Sequence, residues 1–284
     1  MCPRYKIILE YIGKGFTGWQ KLKYEVEKKP VQLVLEEALE KLHRQKIKVY
    51  GSSRTDCGVS STFQVAHFNV DRRLSKTGVE QKLLTPEQLV KSLNYNVDGY
   101  PVRIMSVEEV SDTFNSRFDA ESRTYLYKIL SNVTIPKHLP LSLVDKVWAV
   151  PTKDLNITLM KEAAERVFLG RHDFSSFRSS KCTSNKSIRT INSINILSLE
   201  QPLELSYNNA FKNSNHQYLG IEINARAFLH NQVRIMVSCL VEIGKGNLTI
   251  DQLIHIRDSK NRNLAPATAP PEPLTLVNVQ YPSS

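Results

Sequence analysis

Ile47-Lys48-Val49-Tyr50 and Phe63-Gln64-Val65-Ala66-His67-Phe68-Asn69-Val70 flank the polar, glycine-bounded run Gly51-Ser52-Ser53-Arg54-Thr55-Asp56-Cys57-Gly58-Val59-Ser60-Ser61-Thr62. The flanks are short, apolar and rich in β-branched and aromatic residues, so the pattern predicts strand, loop, strand. Inside the loop an arginine and an aspartate stand two residues apart. An aspartate in such a loop can cap a turn while the arginine pairs with it. It can equally be a carboxylate held ionised by a cation for nucleophilic work. Spacing alone leaves both readings open.

Working outward, Tyr5, Ile7, Leu9 and Tyr11 alternate on one face of a strand. Val31, Val34, Leu35, Ala38, Leu39 and Leu42 line one face of a helix. Thr85-Pro86-Glu87-Gln88 supplies a cap, a first-turn proline and a capping box, and Tyr100–Val110 follows as a strand. The rest is looser. Strands are expected over 123–130, 188–199, 217–225 and 274–281, and helices over 157–169 and 228–243. Gly170 and Gly244 are read as helix terminators, and Thr249-Ile250-Asp251-Gln252 as a second capping box. The stretch 201–215 reads as a loop, and the proline-rich 264–273 as irregular. This order predicts an α+β fold of two successive units, 1–110 and 111–284, with mostly antiparallel strands.

Lys and Arg total 38 against 28 Asp and Glu, a net charge of +10, which favours a polyanionic partner. The basic residues are spread along the chain, unlike an amphipathic membrane-surface helix. No apolar run approaches the ~20 residues of a bilayer span. Cys2, Cys57, Cys182 and Cys239 form no Cys-x-x-Cys pair, and the seven histidines lack metal-ligand spacing. A reducing compartment is expected from these few scattered thiols. The opening residues enter a strand at once, so neither a secretory signal nor a transit peptide is expected; the compartment, cytoplasmic or mitochondrial, stays open. Walker A, Gly-x-Ser-x-Gly and Gly-x-Gly-x-x-Gly signatures are missing.

The segment Gly51–Val59 closely resembles the Arg-Thr-Asp-x-Gly-Val signature of the TruA family of tRNA pseudouridine synthases. Five further segments resemble that family's motifs in order. They are Glu10-Tyr11 with Phe16-Thr17-Gly18-Trp19-Gln20, then Phe114-Asn115-Ser116-Arg117-Phe118 followed by Arg123-Thr124-Tyr125-Leu126-Tyr127. Asp173-Phe174-Ser175-Ser176-Phe177, Phe228-Leu229-His230-Asn231-Gln232-Val233-Arg234 and the run to Pro270-Pro271-Glu272-Pro273-Leu274 complete the set. The resemblance implies a pseudouridine synthase fold: two ferredoxin-like, RRM-like α+β units sharing a mostly antiparallel sheet with a central basic cleft. It implies conversion of uridine to pseudouridine in the anticodon arm of tRNA, without cofactor, metal or membrane, by a homodimer. By the same resemblance Asp56 is the nucleophile, Arg234 its counter-charge, and Tyr125 stacks on the base. Arg54 fills the gap left by the flipped nucleotide, and Phe228 and His230 contact RNA.

Some positions depart from the family pattern. Ser53 precedes Arg54, Ser60 and Ser61 follow Val59, and Pro273 and Thr275 replace the usual glycine and aromatic. The Ser-Ser-Arg-Thr-Asp form resembles a eukaryotic synthase-like branch, and mRNA or mitochondrial RNA stand as alternative substrates. These departures also allow a rival, an RNA-binding or chaperone protein on the same fold that lacks turnover. Tyr127, Phe118 and Phe177 are expected in the core, and Cys57 is read as a small spacer.

Overall fold

A computed structural model describes residues 2–21, 27–71, 83–133, 139–207, 211 and 216–282. The opening alternation becomes strand β1 (Arg4–Tyr11), whose Tyr5, Ile7, Leu9 and Tyr11 are at most 4% exposed. Strands β2 (Tyr50–Gly51), β3 (Ser60–Asn69) and β4 (Val102–Val110) follow, with helices α1 (Val31–His43) and α2 (Pro86–Asn96). β1 lies antiparallel between β4 and β3, and β2 pairs with β3. The apolar faces of α1 (Val31, Val34, Leu35, Ala38, Leu39) and α2 (Leu89, Leu93) bury the odd-numbered side of β1. Each such aliphatic side chain contributes about 1.5–3 kcal/mol of burial. Thr85 makes the expected capping box with Gln88.

Contacts divide the chain into two units, Met1–Glu121 with Leu276–Ser284, and Ser122–Thr275. The division falls at 121 and not at the expected 110. The segment 111–121 stays with the first unit because its turn is hydrogen-bonded to that unit's strands: Arg4 Nη1 donates to the Phe114 carbonyl at 2.8 Å. The last strand, β10 (Leu274–Gln280), returns to lie beside β3, where Ser61 Oγ donates to the Leu276 carbonyl at 3.1 Å.

In the second unit, β5 (Ser122–Ser131), β9 (Tyr218–Ala225), β8 (Ile188–Ser198) and β7 (Gly170–Asp173) run in that order, and β6 (Trp148–Val150) pairs parallel with β5. Its helices are α3 (Ile157–Ala163), the short α4 (Leu203–Tyr207), α5 (Gln232–Gly244) and α6 (Ile250–Ser259). α5 is apolar nearly all round and buried over most of its length, with Arg234 and Glu242 half-buried, as suits a central core helix.

Several local expectations are corrected. Ile47–Val49 does not pair; only Tyr50 and Gly51 do. The helix expected over 157–169 ends as α3 at Ala163 and widens into a π turn, Ala164–Phe168, which keeps Val167 and Phe168 buried. Gly170 (φ 89) follows Leu169 and opens β7. Residues 203–207 of the expected loop are helical; 208–210 and 212–215 lie outside the described residues. Gly244 is the last residue of α5, as expected, but not through a left-handed cap. A Cβ there would stand 2.7 Å from Met160 Sδ, so glycine permits close packing of α5 on α3. The left-handed residue is Gly246, with φ 76.

Candidate active site

The Asp56 loop hangs from one buried amide. Gln64, on β3 and 0% exposed, accepts from Ser52 Oγ (2.8 Å) and Ser53 N (3.3 Å) at Oε1. Its Nε2 donates to the Ser53 carbonyl (2.9 Å) and the Tyr11 hydroxyl (3.3 Å). That is the full complement of a primary amide, so burying Gln64 leaves nothing unsatisfied. Tyr11 carries the network onward to the Thr55 hydroxyl, 2.8 Å away.

Backbone contacts finish the loop. Trp19 N–H donates to the Thr55 carbonyl at 3.1 Å, and Val59 N–H to the Asp56 carbonyl at 3.2 Å. Gly58 (φ 83) makes that turn possible. Gly18 (φ 105) lets the neighbouring segment approach, since a Cβ there would sit 2.9 Å from the Thr55 carbonyl. Thr55 is therefore buried, Asp56 half-buried, and Arg54 exposed. The guanidinium of Arg54 is held below the usual arginine range by partial desolvation and by the positive charge of Arg117.

The other anticipated residues belong to the second unit. Tyr125, on β5 opposite Ile223, is 6% exposed, and its ring meets Phe228 edge-on with centroids 5.3 Å apart. Tyr127, two residues on, is fully buried and donates to the Pro270 carbonyl at 2.9 Å. Burial pushes its phenol far above the ordinary value, which makes it a structural group. Phe177 is buried as expected.

Arg234 lies in the first turn of α5, which starts at Gln232 and not at Phe228. Asn231 adopts φ 62, a conformation asparagine tolerates, and Gln232 Oε1 accepts the Leu229 N–H at 2.8 Å. The half-buried Arg234 guanidinium is then aimed by two acceptors, the Ala269 carbonyl (2.8 Å from Nε) and Asn231 Oδ1 (3.0 Å from Nη1). His230 is exposed, and its carbonyl accepts from Ser179 N at 2.9 Å. Sequence reasoning passed over Gln64 and Asn231. Asparagine before a helix was a usable signal; a lone glutamine in a strand was not.

The structure also overturns one placement. Phe118, expected in the core, is 69% exposed, with the Arg117 guanidinium 5.4 Å over its ring. Its turn is held firmly. Ser116 N–H donates to His67 Nδ1 (3.1 Å), Ser116 Oγ to the Tyr50 carbonyl (2.6 Å), and the Tyr281 hydroxyl to the Ser116 carbonyl (2.6 Å). Asn115 Oδ1 accepts the N–H groups of Arg117 (3.0 Å) and Phe118 (3.2 Å). Among the described residues no group of three His, Cys, Asp or Glu side chains is placed to hold a metal ion, and no helix is long and apolar enough to cross a membrane.

A family model described as tRNA pseudouridine synthase matches residues 7–119 and 164–282. The tRNA pseudouridine synthase A of Ehrlichia chaffeensis is 38% identical over 98% of this chain and 100% of its own length. That of Neorickettsia sennetsu is 37% identical over the same shares. A chain in the Cbf5-Nop10-Gar1 complex is similar at a TM-score of 0.29 and 11% identity, over 83% of this chain and 54% of that one.

Proposed function

This chain belongs to the family of tRNA pseudouridine synthases, and on that premise we propose that it isomerises uridines in the anticodon arm of tRNA with Asp56 as nucleophile. The observation that carries the assignment is the Gln64–Tyr11–Thr55 network, which fixes the backbone on one side of a half-buried carboxylate. A catalytic group on a loop needs such support to hold its geometry.

The reaction breaks the bond from ribose C1′ to N1 of the base, turns the base, and joins C1′ to C5. The proton on C5 leaves and N1 gains one, so there is no net change in composition or oxidation state. Asp56 as carboxylate acts at the sugar, either by attack or by assisting a glycal-type intermediate. Arg234 supplies the charge that keeps a carboxylate ionised, since an adjacent arginine lowers an aspartate pKa by ~1–3 units. Tyr125, braced by Phe228, offers a ring for stacking on the turned base.

Reaching the target uridine requires unstacking it, at a few kcal/mol. The exposed Arg54 takes the place the nucleotide vacates, and His230 and Phe228 contact the RNA. The charge of +10 supplies the sequence-independent attraction to phosphate. The working form is a homodimer. The test is pseudouridine mapping on a tRNA transcript incubated with wild-type protein and with Asp56→Asn. Wild type is expected to convert anticodon-arm uridines, while Asp56→Asn converts none and binds tRNA within a few-fold of wild type. Wild-type turnover by the asparagine variant would remove Asp56 from the chemistry.

A further inference from the structure

We propose that Arg117 and Phe118 form a stacking platform for an unpaired base of the bound RNA, on the first unit beside the Asp56 loop. The inference rests on the tRNA-modifying function given above and adds a contact to it. Phe118 is 69% exposed on a turn in a unit that buries Phe16, Phe68 and Tyr11, and among the described residues it is the exposed aromatic ring of that unit that carries a guanidinium over its face. Phe118 is not exposed for want of order. The carbonyls of Phe114 and Ser116 and the N–H groups of Ser116, Arg117 and Phe118 are all hydrogen-bonded, to Arg4, Tyr281, His67 and Asn115. The turn is over-determined, and it presents one ring to solvent.

Its placement points to the RNA. Ser116 Oγ binds the carbonyl of Tyr50, the residue that leads directly into the loop bearing Arg54 and Asp56. Tyr50 is itself 51% exposed and lies flat on His67, with centroids 5.0 Å apart. The positive charge of Arg117 is felt at Arg54, so two like charges are held near each other. A guanidinium over an aromatic face, beside further cations, matches the way single-stranded nucleic acid is held, by base stacking plus backbone neutralisation.

The experiment measures tRNA affinity by filter binding at several salt concentrations, and single-turnover conversion at saturating tRNA. It compares Phe118→Ala, Phe118→Leu, Phe118→Trp and Arg117→Gln. Loss of one stacked base predicts about tenfold weaker binding for Phe118→Ala. Leucine, which keeps apolar bulk without a π face, should fare little better, and tryptophan should restore affinity. Arg117→Gln should reduce the slope of log affinity against log salt by about 1. Saturated turnover of Phe118→Ala should fall by less than its affinity, since the ring holds RNA and does not act on the reacting bond. Wild-type affinity for both Phe118→Ala and Arg117→Gln would overturn the proposal, as would a leucine variant binding as well as tryptophan. Because affinity is read separately from conversion, an inactive wild-type protein would refute the proposed reaction without deciding the platform.

Discussion

The Tyr11 hydroxyl and the Thr55 hydroxyl lie 2.8 Å apart, both buried, and they join the first strand to the residue before Asp56. The same Tyr11 oxygen accepts from Gln64. Tyr11→Phe therefore strips a partner from two buried polar groups at once. Leaving a buried polar group unpaired costs ~1–3 kcal/mol, so urea unfolding should register a loss in that range. Turnover should fall more than tRNA affinity, because the loop and not the RNA surface is loosened. In a double-mutant cycle with Thr55→Val the two losses should be less than additive. Additive losses would mean that the two hydroxyls do not act together.

Arg234 is aimed by Asn231, whose left-handed backbone also sets where α5 begins. Arg234→Ala is expected to lower kcat by at least tenfold. Asn231→Gly separates positioning from charge: glycine accepts φ 62 without strain but offers no side-chain acceptor. It should lower kcat several-fold while unfolding within about 1 kcal/mol of wild type. Full activity in Asn231→Gly would show that the Asn231 side chain is not needed to orient the guanidinium.

His67 supplies a pH dependence with a definite sign. Burial, assisted by the positive charge of Arg4, lowers its pKa from 6.5 to about 4. Its Nδ1 accepts the Ser116 N–H, so the folded state favours the neutral ring. The unfolded chain binds a proton at higher pH than the folded one. The stabilisation is therefore complete above pH ~6.5 and is lost as pH falls toward about 4. The loss is on the order of 2–3 kcal/mol. Urea midpoints of wild type and His67→Gln between pH 7 and 4 should converge as the pH drops. Parallel curves would remove His67 from the acid response.

How much of this was legible in the sequence depended on how local the controlling physics was. The alternation of β1 and the Thr85 and Thr249 capping boxes were readable because a few adjacent residues decide them. The start of α5 was placed too early, at Phe228, because it depends on Asn231 going left-handed. Gly244 ends α5 as read, but the approach of Met160 that also demands a glycine there comes from a segment more than 80 residues earlier and was not visible. Phe118 was misplaced for a related reason. An aromatic residue reads as core unless a tertiary turn points it outward, and that turn is fixed by Tyr50, His67 and Tyr281. The Arg54–Asp56 loop was ambiguous by spacing, and only the motifs around it singled it out.

The strand β10 lies beside β3, yet more than 200 residues separate the two along the chain. A ribosome therefore finishes the Asp56 loop early and holds it in a half-built sheet until Leu276 and its neighbours emerge. Until then the flank of β3 is an open edge, able to pair with another nascent chain. Premature termination anywhere in the second unit would release a polypeptide that carries Asp56 but an unsealed sheet. Such fragments should be sticky and quickly degraded.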